Sequence, residues 1–404
     1  MTIVSSSARR LEARARFTAL GVPDRHLEAW KYTSTRAAVD TPWVETSTAR
    51  PVAGSPTLPP ELQGLPTDLG FVNGLPVSRG VGRGRSGAEA SAAELDALGG
   101  LVDLSQPHAG LWALNGAEHD AFATFDVPAE NVLPGAFVLH WHTEGAEPLR
   151  DHPRTLIRVG ANARVVIVER FTAQGRAWVN PVTELVLGPG AQVEYVRLQA
   201  QGAETVHTSA VFARLDRDAT LVTHEYACGA ALTRAEVHVQ LAGPGATCRL
   251  NGLYVLDGKR HADLYTRIRH EAPHTTSEEL YKGVLRGNAR GVFTGNIYMG
   301  PGVRGASTRQ ENPNLLLGDG AHVDTRPQLE ILHNDVKAFH GATIGRLDPG
   351  AIFYLRSRGL STEAARLLLT GAFCNTVLDT LPLEALRTHL DAWLAGALTE
   401  DVPS

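Results

Sequence analysis

Gly135-Ala136-Phe137-Val138, Asn162-Ala163-Arg164-Val165, Gly190-Ala191-Gln192-Val193, Asp218-Ala219-Thr220-Leu221 and Gly245-Ala246-Thr247-Cys248 are five copies of one pattern, with alanines 27, 28, 28 and 27 residues apart. The pattern returns at Asn288-Ala289-Arg290-Gly291, Gly320-Ala321-His322-Val323 and Gly341-Ala342-Thr343-Ile344, at intervals of 43, 32 and 21. Only Gly, Asn or Asp precedes the alanine; these residues enter the left-handed backbone region at least cost, so each copy reads as a sharp corner. After the corners come runs such as 164–169 and 220–226, rich in β-branched and aromatic residues, which is strand character. At ~3.3 Å per strand residue, the period fits two strands of roughly 7 to 9 residues and two corners, one coil of a parallel β-helix. The small alanine suits the crowded inside of such a corner. The longest interval predicts a loop insertion near 257–280.

Around this core, 131–350, the chain divides into an N-terminal helical or α+β domain, 1–130, and a C-terminal helical domain, 351–404. Residues 6–38 read as helix, stopped at Gly21-Val22-Pro23, with a second short helix starting near Asp24. Pro, Ser, Thr and Gly crowd 41–66, which reads as a linker. The segment 71–100 carries a strand at 71–77, a Gly/Arg-rich loop and an Ala-rich helix from Ala88. Near the other end, Ser361-Thr362-Glu363-Ala364 caps an apolar helical run at 365–373, and 383–398 is a further amphipathic stretch.

The 404 residues carry 43 acidic and 38 basic side chains, a formal charge of −5, so no global field draws the chain onto nucleic acid or an anionic membrane. No apolar stretch approaches the ~20 residues that span a bilayer. The arginines at 9, 10, 14 and 16 have no apolar segment behind them, which argues against a secretory signal and for a cytoplasmic protein. Cys228, Cys248 and Cys374 are too few for a disulfide framework or for the four thiolates of an ordinary iron-sulfur site, so cluster chemistry would need a second chain.

Several short motifs are weak. Gly82-Arg83-Gly84-Arg85-Ser86-Gly87 matches a dinucleotide fingerprint, but the second strand and its acidic residue do not follow, and a loop is the better reading. The run 252–259 has the wrong glycine spacing for a phosphate loop, and Arg260 stands where a Ser or Thr belongs. His140 and His142 could share a strand face and bind a metal, yet no third ligand is identifiable. A β-helix carbohydrate-active enzyme would need carboxylates at repeating positions, and few occur there.

The run 325–360 differs in kind. It reads Thr-Arg-Pro-Gln-Leu-Glu-Ile-Leu-His-Asn-Asp-Val-Lys-Ala-Phe-His-Gly-Ala-Thr-Ile-Gly-Arg-Leu-Asp and continues after Pro-Gly-Ala-Ile as Phe-Tyr-Leu-Arg-Ser-Arg-Gly-Leu. With Leu27-Glu28-Ala29-Trp30-Lys31-Tyr32-Thr33, Phe71-Val72-Asn73-Gly74, His152-Pro153-Arg154 and Gln310-Glu311-Asn312-Pro313-Asn314-Leu315-Leu316-Leu317, it resembles the SufB/SufD family of iron-sulfur cluster assembly proteins. The resemblance implies a mainly β fold, a right-handed parallel β-helix between N- and C-terminal helical parts. It further implies a non-catalytic scaffold that pairs with a SufB-like subunit and binds a SufC-like ABC-type ATPase near its C-terminal helices, or self-associates when alone. A reduced flavin is implied for the assembled complex.

The same resemblance makes His340, in His-Gly-Ala-Thr, a ligand for iron or a nascent cluster shared with a partner-chain cysteine. The plain alternative is a packing role in a structural subunit. The family commonly has Cys-Ser before this histidine where this chain has Ala338-Phe339, and Asp-Asp where it has Asn334-Asp335. Arg356 and Arg358 are candidates for ion pairs across a subunit boundary or for anchoring the last coil onto the helices. Leu367, Leu368 and Phe373, on a helical face expected to bury against the end of the β-helix, are candidates for contact with the ATPase. The cysteines are assigned to the core.

Overall fold

A computed structural model describes residues 6–46, 69–79, 85–86, 97–119, 121–227, 229–381 and 383–399. Most of the linker at 41–66, most of the loop at 82–87, the helix expected from Ala88, and Cys228 lie outside the described residues. Two long sheets face each other, and the chain alternates between them. Eight strands from Phe122–Val127 to His322–Ile331 run parallel in the first sheet, and eight from Val132–Glu144 to Val336–Gly345 in the second, making a parallel β-helix of eight coils. The side chains between the sheets form the main core, including Phe125, Phe137, Ile167, Leu185, Tyr195, Leu250 and Phe293. Each such Leu, Ile or Phe contributes about 1.5–3 kcal/mol by leaving water.

The corners explain the repeat. Asn162, Gly190, Asp218 and Gly245 all have positive φ, 55°, 67°, 55° and 75°, as the sequence predicts. Each donates its backbone N–H to the next coil: Asn162 to Pro189, Gly190 to Arg217, Asp218 to Pro244 and Gly245 to Pro273. Ala163, Ala191, Ala219 and Ala246 are completely buried inside them. The column continues with the same bonds at His274 (φ 60°) and Gly305 (φ 71°). Polar and glycine corners alternate because a Cβ on Gly190, Gly245 or Gly305 would strike the side chain of Asn162, Asp218 or His274 in the coil before.

The first copy and the later ones do not belong to this column: Gly135, at φ 73°, lies inside the strand Val132–Glu144, where the register shifts, and the corner ahead of that strand is Glu130 (φ 64°). Ala289 and Ala321 precede Arg290–Met299 and His322–Ile331 in the first sheet, and Gly341 lies inside the strand Val336–Gly345. Nor is there an insertion near 257–280: His261–His270 and Thr276–Leu285 continue both ladders without a break. The expected period was lost because His274-Thr275 replaces the Gly-Ala pair at that corner.

Helices cover the outer faces. Helix α1 (Ser6–Leu20) ends at Gly21 (φ 65°), and instead of a helix at Asp24 the chain makes a 3-10 turn at Glu28–Trp30 and one helical turn, α2 (Arg36–Val39). With α3 (Gly110–Glu118) they cover the first sheet, where Trp112 meets Phe212 and His238 edge-on at 5.0 and 4.9 Å. The Leu27–Thr33 motif is a latch: Trp30 lies 4.6 Å from the Arg234 guanidinium, and Thr33 bonds Asp263 and His261. Burial alone would raise Glu236, but Arg234, 3.1 Å away, holds it down at about 2.

Helix α4 (Pro349–Ser357) starts at the Asp348 cap, and α5 (Thr362–Leu378) at the Ser361 cap, followed by α6 (Glu384–Thr399). Cys374, Val377, Leu378, Leu390 and Leu394 bury against Val168, Val196, Leu253 and Val284. The apolar helical face thus packs on the flank of the coils and not, as expected, on their end. Among the described residues no helix is long and apolar enough to cross a membrane.

The two ends differ. At the first coil, Leu69–Val72 and Leu75–Arg79 form a hairpin, not the single strand expected at 71–77. Asn73 and Gly74 both take positive φ at its turn, and the hairpin pairs with Val132–Glu144. At the last coil, no strand among the described residues pairs beyond His322–Ile331 or Val336–Gly345.

Candidate functional site

His340 sits in the middle of Val336–Gly345, the terminal strand of the second sheet. Its place follows from register: Tyr195, Thr223, Leu250, Glu279, Gln310 and His340 are successive partners across the ladder. Tyr195 and Leu250 in that row lie in the main core, so the row points inward. With no coil beyond it among the described residues, His340 is exposed while Gln310, one rung below, is completely buried. Ala338, two residues away on the same inward face, continues the row of Cys248, Ser277 and Thr308. That is where the family resemblance would place a thiol beside the imidazole.

The end is apolar as well as unpaired. Ile331, Leu332, Phe339 and Ile344 are 38%, 54%, 49% and 52% exposed, far above the few per cent typical of the same residue types in the coils below. The Arg309 guanidinium lies 4.8 Å from the Phe339 ring and pairs with Glu311 at 2.8 Å. Two strand edges with free backbone donors and acceptors, framed by exposed apolar side chains, form a surface that another β-structure can extend.

Among the described residues no three His, Cys, Asp or Glu side chains converge as a metal site, so His340 could hold a metal only with ligands from elsewhere. The other histidine pair, His140 and His142, does share a strand face, but both bond Thr172 Oγ1 at 2.8 Å, and His142 also meets Glu144 at 3.2 Å. Burial pushes His140 down to about 3. Cys248 and Cys374 are buried, and burial raises both thiols, Cys374 to about 12.

A second surface lies where the C-terminal helices leave the solenoid. A groove of about 880 Å³ is lined by Arg286, Arg346, Arg356, Leu316, Phe353 and Leu367. Arg356 and Leu367 thus fall in one place, and Leu368, 52% exposed, lies next to Leu367 on α5. Arg358 stacks on Tyr354 at 5.3 Å, and Phe373 is half-buried under the Lys282 ammonium, 4.3 Å from its ring. Residues that sequence reading passed over are Glu279 and Gln310 beneath His340; their signal, polar residues at inward positions, appears only once the register is known.

Comparison with known proteins accords with this geometry. A family profile described as SUF system FeS cluster assembly, SufBD core domain, matches residues 142–373. The chain is 29% identical to the iron-sulfur cluster assembly protein SufD of Escherichia coli over 94% of this chain and 90% of that protein. It is 31% identical to an iron-sulfur cluster assembly SufBD family protein of Synechocystis over 60% of this chain, and 28% identical to the chloroplastic protein ABCI7 of Arabidopsis thaliana over 71%. Those two matches span 56% and 62% of the relatives' own lengths.

Proposed function

The chain belongs to the SufBD family of iron-sulfur cluster assembly proteins and is SufD-like, and from that premise we propose that it is a non-catalytic scaffold subunit whose open coil pairs with a SufB-like subunit. The observation that carries this reading is the last coil, with two unpaired strand edges, exposed apolar side chains and His340 on the inward face between them. A partner coil set against these edges would bury Phe339 and Ile344 and enclose His340. The imidazole would then hold iron or a nascent cluster, as cargo, together with a cysteine of the partner. The groove at Arg356 and Leu367 is the docking surface for a SufC-like ATPase in this reading. A reduced flavin would serve the assembled complex as an electron source, with no binding residues assigned on this chain.

The test is anaerobic co-expression with the SufB-like and SufC-like subunits, wild type against His340→Ala, with iron and sulfide measured on the purified complex. An intact complex that loses most of its iron supports the reading. Unchanged iron reduces His340 to packing, and no complex with wild type removes the scaffold reading itself.

A further inference from the structure

Buried carboxylates inside the solenoid are compensated until the last coils. Glu169 accepts from Trp141 Nε1 at 3.1 Å, Thr155 and Thr183 at 2.7 Å, and the Tyr195 hydroxyl. Glu225 pairs with Arg197 at 2.6 Å. Glu279 is as deeply buried, 2% exposed, and is built differently. Gln310 Nε2 donates to its Oε2, but its Oε1 has no hydrogen-bond partner, and no Lys or Arg pairs with it among the described residues. Gln310 Oε1 and Thr266 Oγ1 are also buried without partners.

These groups share one place. Thr266 faces Glu279 across the interior, and its hydroxyl opposes the rise of the carboxyl although the pair does not close to normal hydrogen-bond geometry. One rung on, Gly295 follows Thr266 and Gln310 follows Glu279; a Cβ on Gly295 would strike the Gln310 amide, so glycine makes its room. The next rung carries Pro327 and His340, at the open end. Buried oxygens without partners are resolved by water or by a proton. Burial pushes the Glu279 carboxyl up to about 7, against the opposing effects of Thr266 and Gln310. The titratable neighbours on its own sheet, Cys248 and Tyr281, are pushed up by burial and stay neutral, and Glu225 behind Tyr281 is paired with Arg197.

We propose that Glu279 is an internal proton-exchange site of the open end, holding a proton in part of the free chains at neutral pH and losing it when a metal cation is held at His340. This rests on the functional reading of His340 given above. The carboxyl O–H breaks, the proton leaves to solvent along the Gln310 row, and the carboxylate offsets the cation's charge; no electron moves. Two rungs separate the groups, about 10 Å, and at an effective dielectric near 20 each positive charge there lowers the carboxyl by roughly one pH unit.

Infrared pH titration of the full chain, in water and in deuterium oxide, tests this. A protonated-carboxyl band that disappears as the pH rises through about 7, and is missing in Glu279→Gln, is expected; Glu279→Asp should keep a band at a shifted position. Ferrous iron added anaerobically to the complex with the SufB-like subunit, which supplies the remaining ligands, should move the midpoint of the Glu279 band down by about one unit per unit charge in wild type and leave it in place in His340→Ala. A midpoint in the ordinary carboxylate range, or a band unchanged in Glu279→Gln, overturns the site. An unmoved midpoint in an iron-loaded complex overturns the coupling alone. Iron bound equally by His340→Ala overturns the functional reading, while the titrating band would still mark Glu279 as the exchanging group.

Discussion

The first and last coils are built from the same strands and corners, yet one is closed and the other open. The Asn73-Gly74 hairpin adds two strands to the first coil, and the N-terminal helices cover the first sheet behind it. Buried ion pairs stand there, Arg154 with Glu184 at 2.8 Å and farther along Arg197 with Glu225. Among the described residues the last coil leaves both edges unpaired, its apolar residues exposed, and a carboxyl behind it without a Lys or Arg partner. A solenoid needs caps for solubility, and in the proposed reading an end without one among the described residues is where a second protein would complete the fold.

Acid should break the closed region first and most. Burial lowers His119, His140 and His152 to about 3, and His108 to about 4. A histidine depressed in the folded state leaves the unfolded chain binding more protons, so stability is full above the unfolded value near 6.5 and falls as the pH drops toward 4. Each such group costs up to about 3 kcal/mol at pH 4, and four rival the whole ~5–15 kcal/mol of a domain. Glu279 acts with the opposite sign, its neutral form being favoured between the ordinary carboxylate value and about 7. Hydrogen exchange from pH 7 to 4 should therefore show protection lost in the coils around His140 and His152; loss confined to the last coil would contradict the division.

A single substitution probes the same region. Arg197→Ala leaves Glu225 buried without its partner and should cost about 3–5 kcal/mol in urea unfolding. A cost below about 1 kcal/mol would mean that the interior is wet enough to solvate the carboxylate. Smallest in stability, and largest in consequence for partners, is Phe339→Asp at the open end. It should change unfolding by no more than about 0.5 kcal/mol while weakening association with the proposed SufB-like partner by about tenfold or more. Equal affinity would place the interface elsewhere.

Much of the architecture was legible because it rests on local chemistry. Left-handed corners need Gly, Asn or Asp, and their insides need Ala, so Asn162, Gly190, Asp218 and Gly245 announce themselves. His274 kept the corner with a rarer residue and hid it, which turned a continuous ladder into an apparent insertion. Caps at Asp348 and Ser361 were legible for the same local reason, of which Ser361 was read. His340 was found through a motif, not through physics, since one histidine in a polar strand carries no signal of its facing.

The sequence by itself determined the coil, its approximate period, the family and the helical flanks, because these follow from backbone preference, side-chain size and a motif along one chain. Tertiary structure alone decided which residues share a row. Glu279, Gln310 and His340 are separated by about thirty residues each and meet only through the register of three coils. Only the folded chain, likewise, shows that the C-terminal helices cover the flank and leave the end free. Inward facing, burial and the loss of a counter-charge are relations between strands, and no single strand contains them.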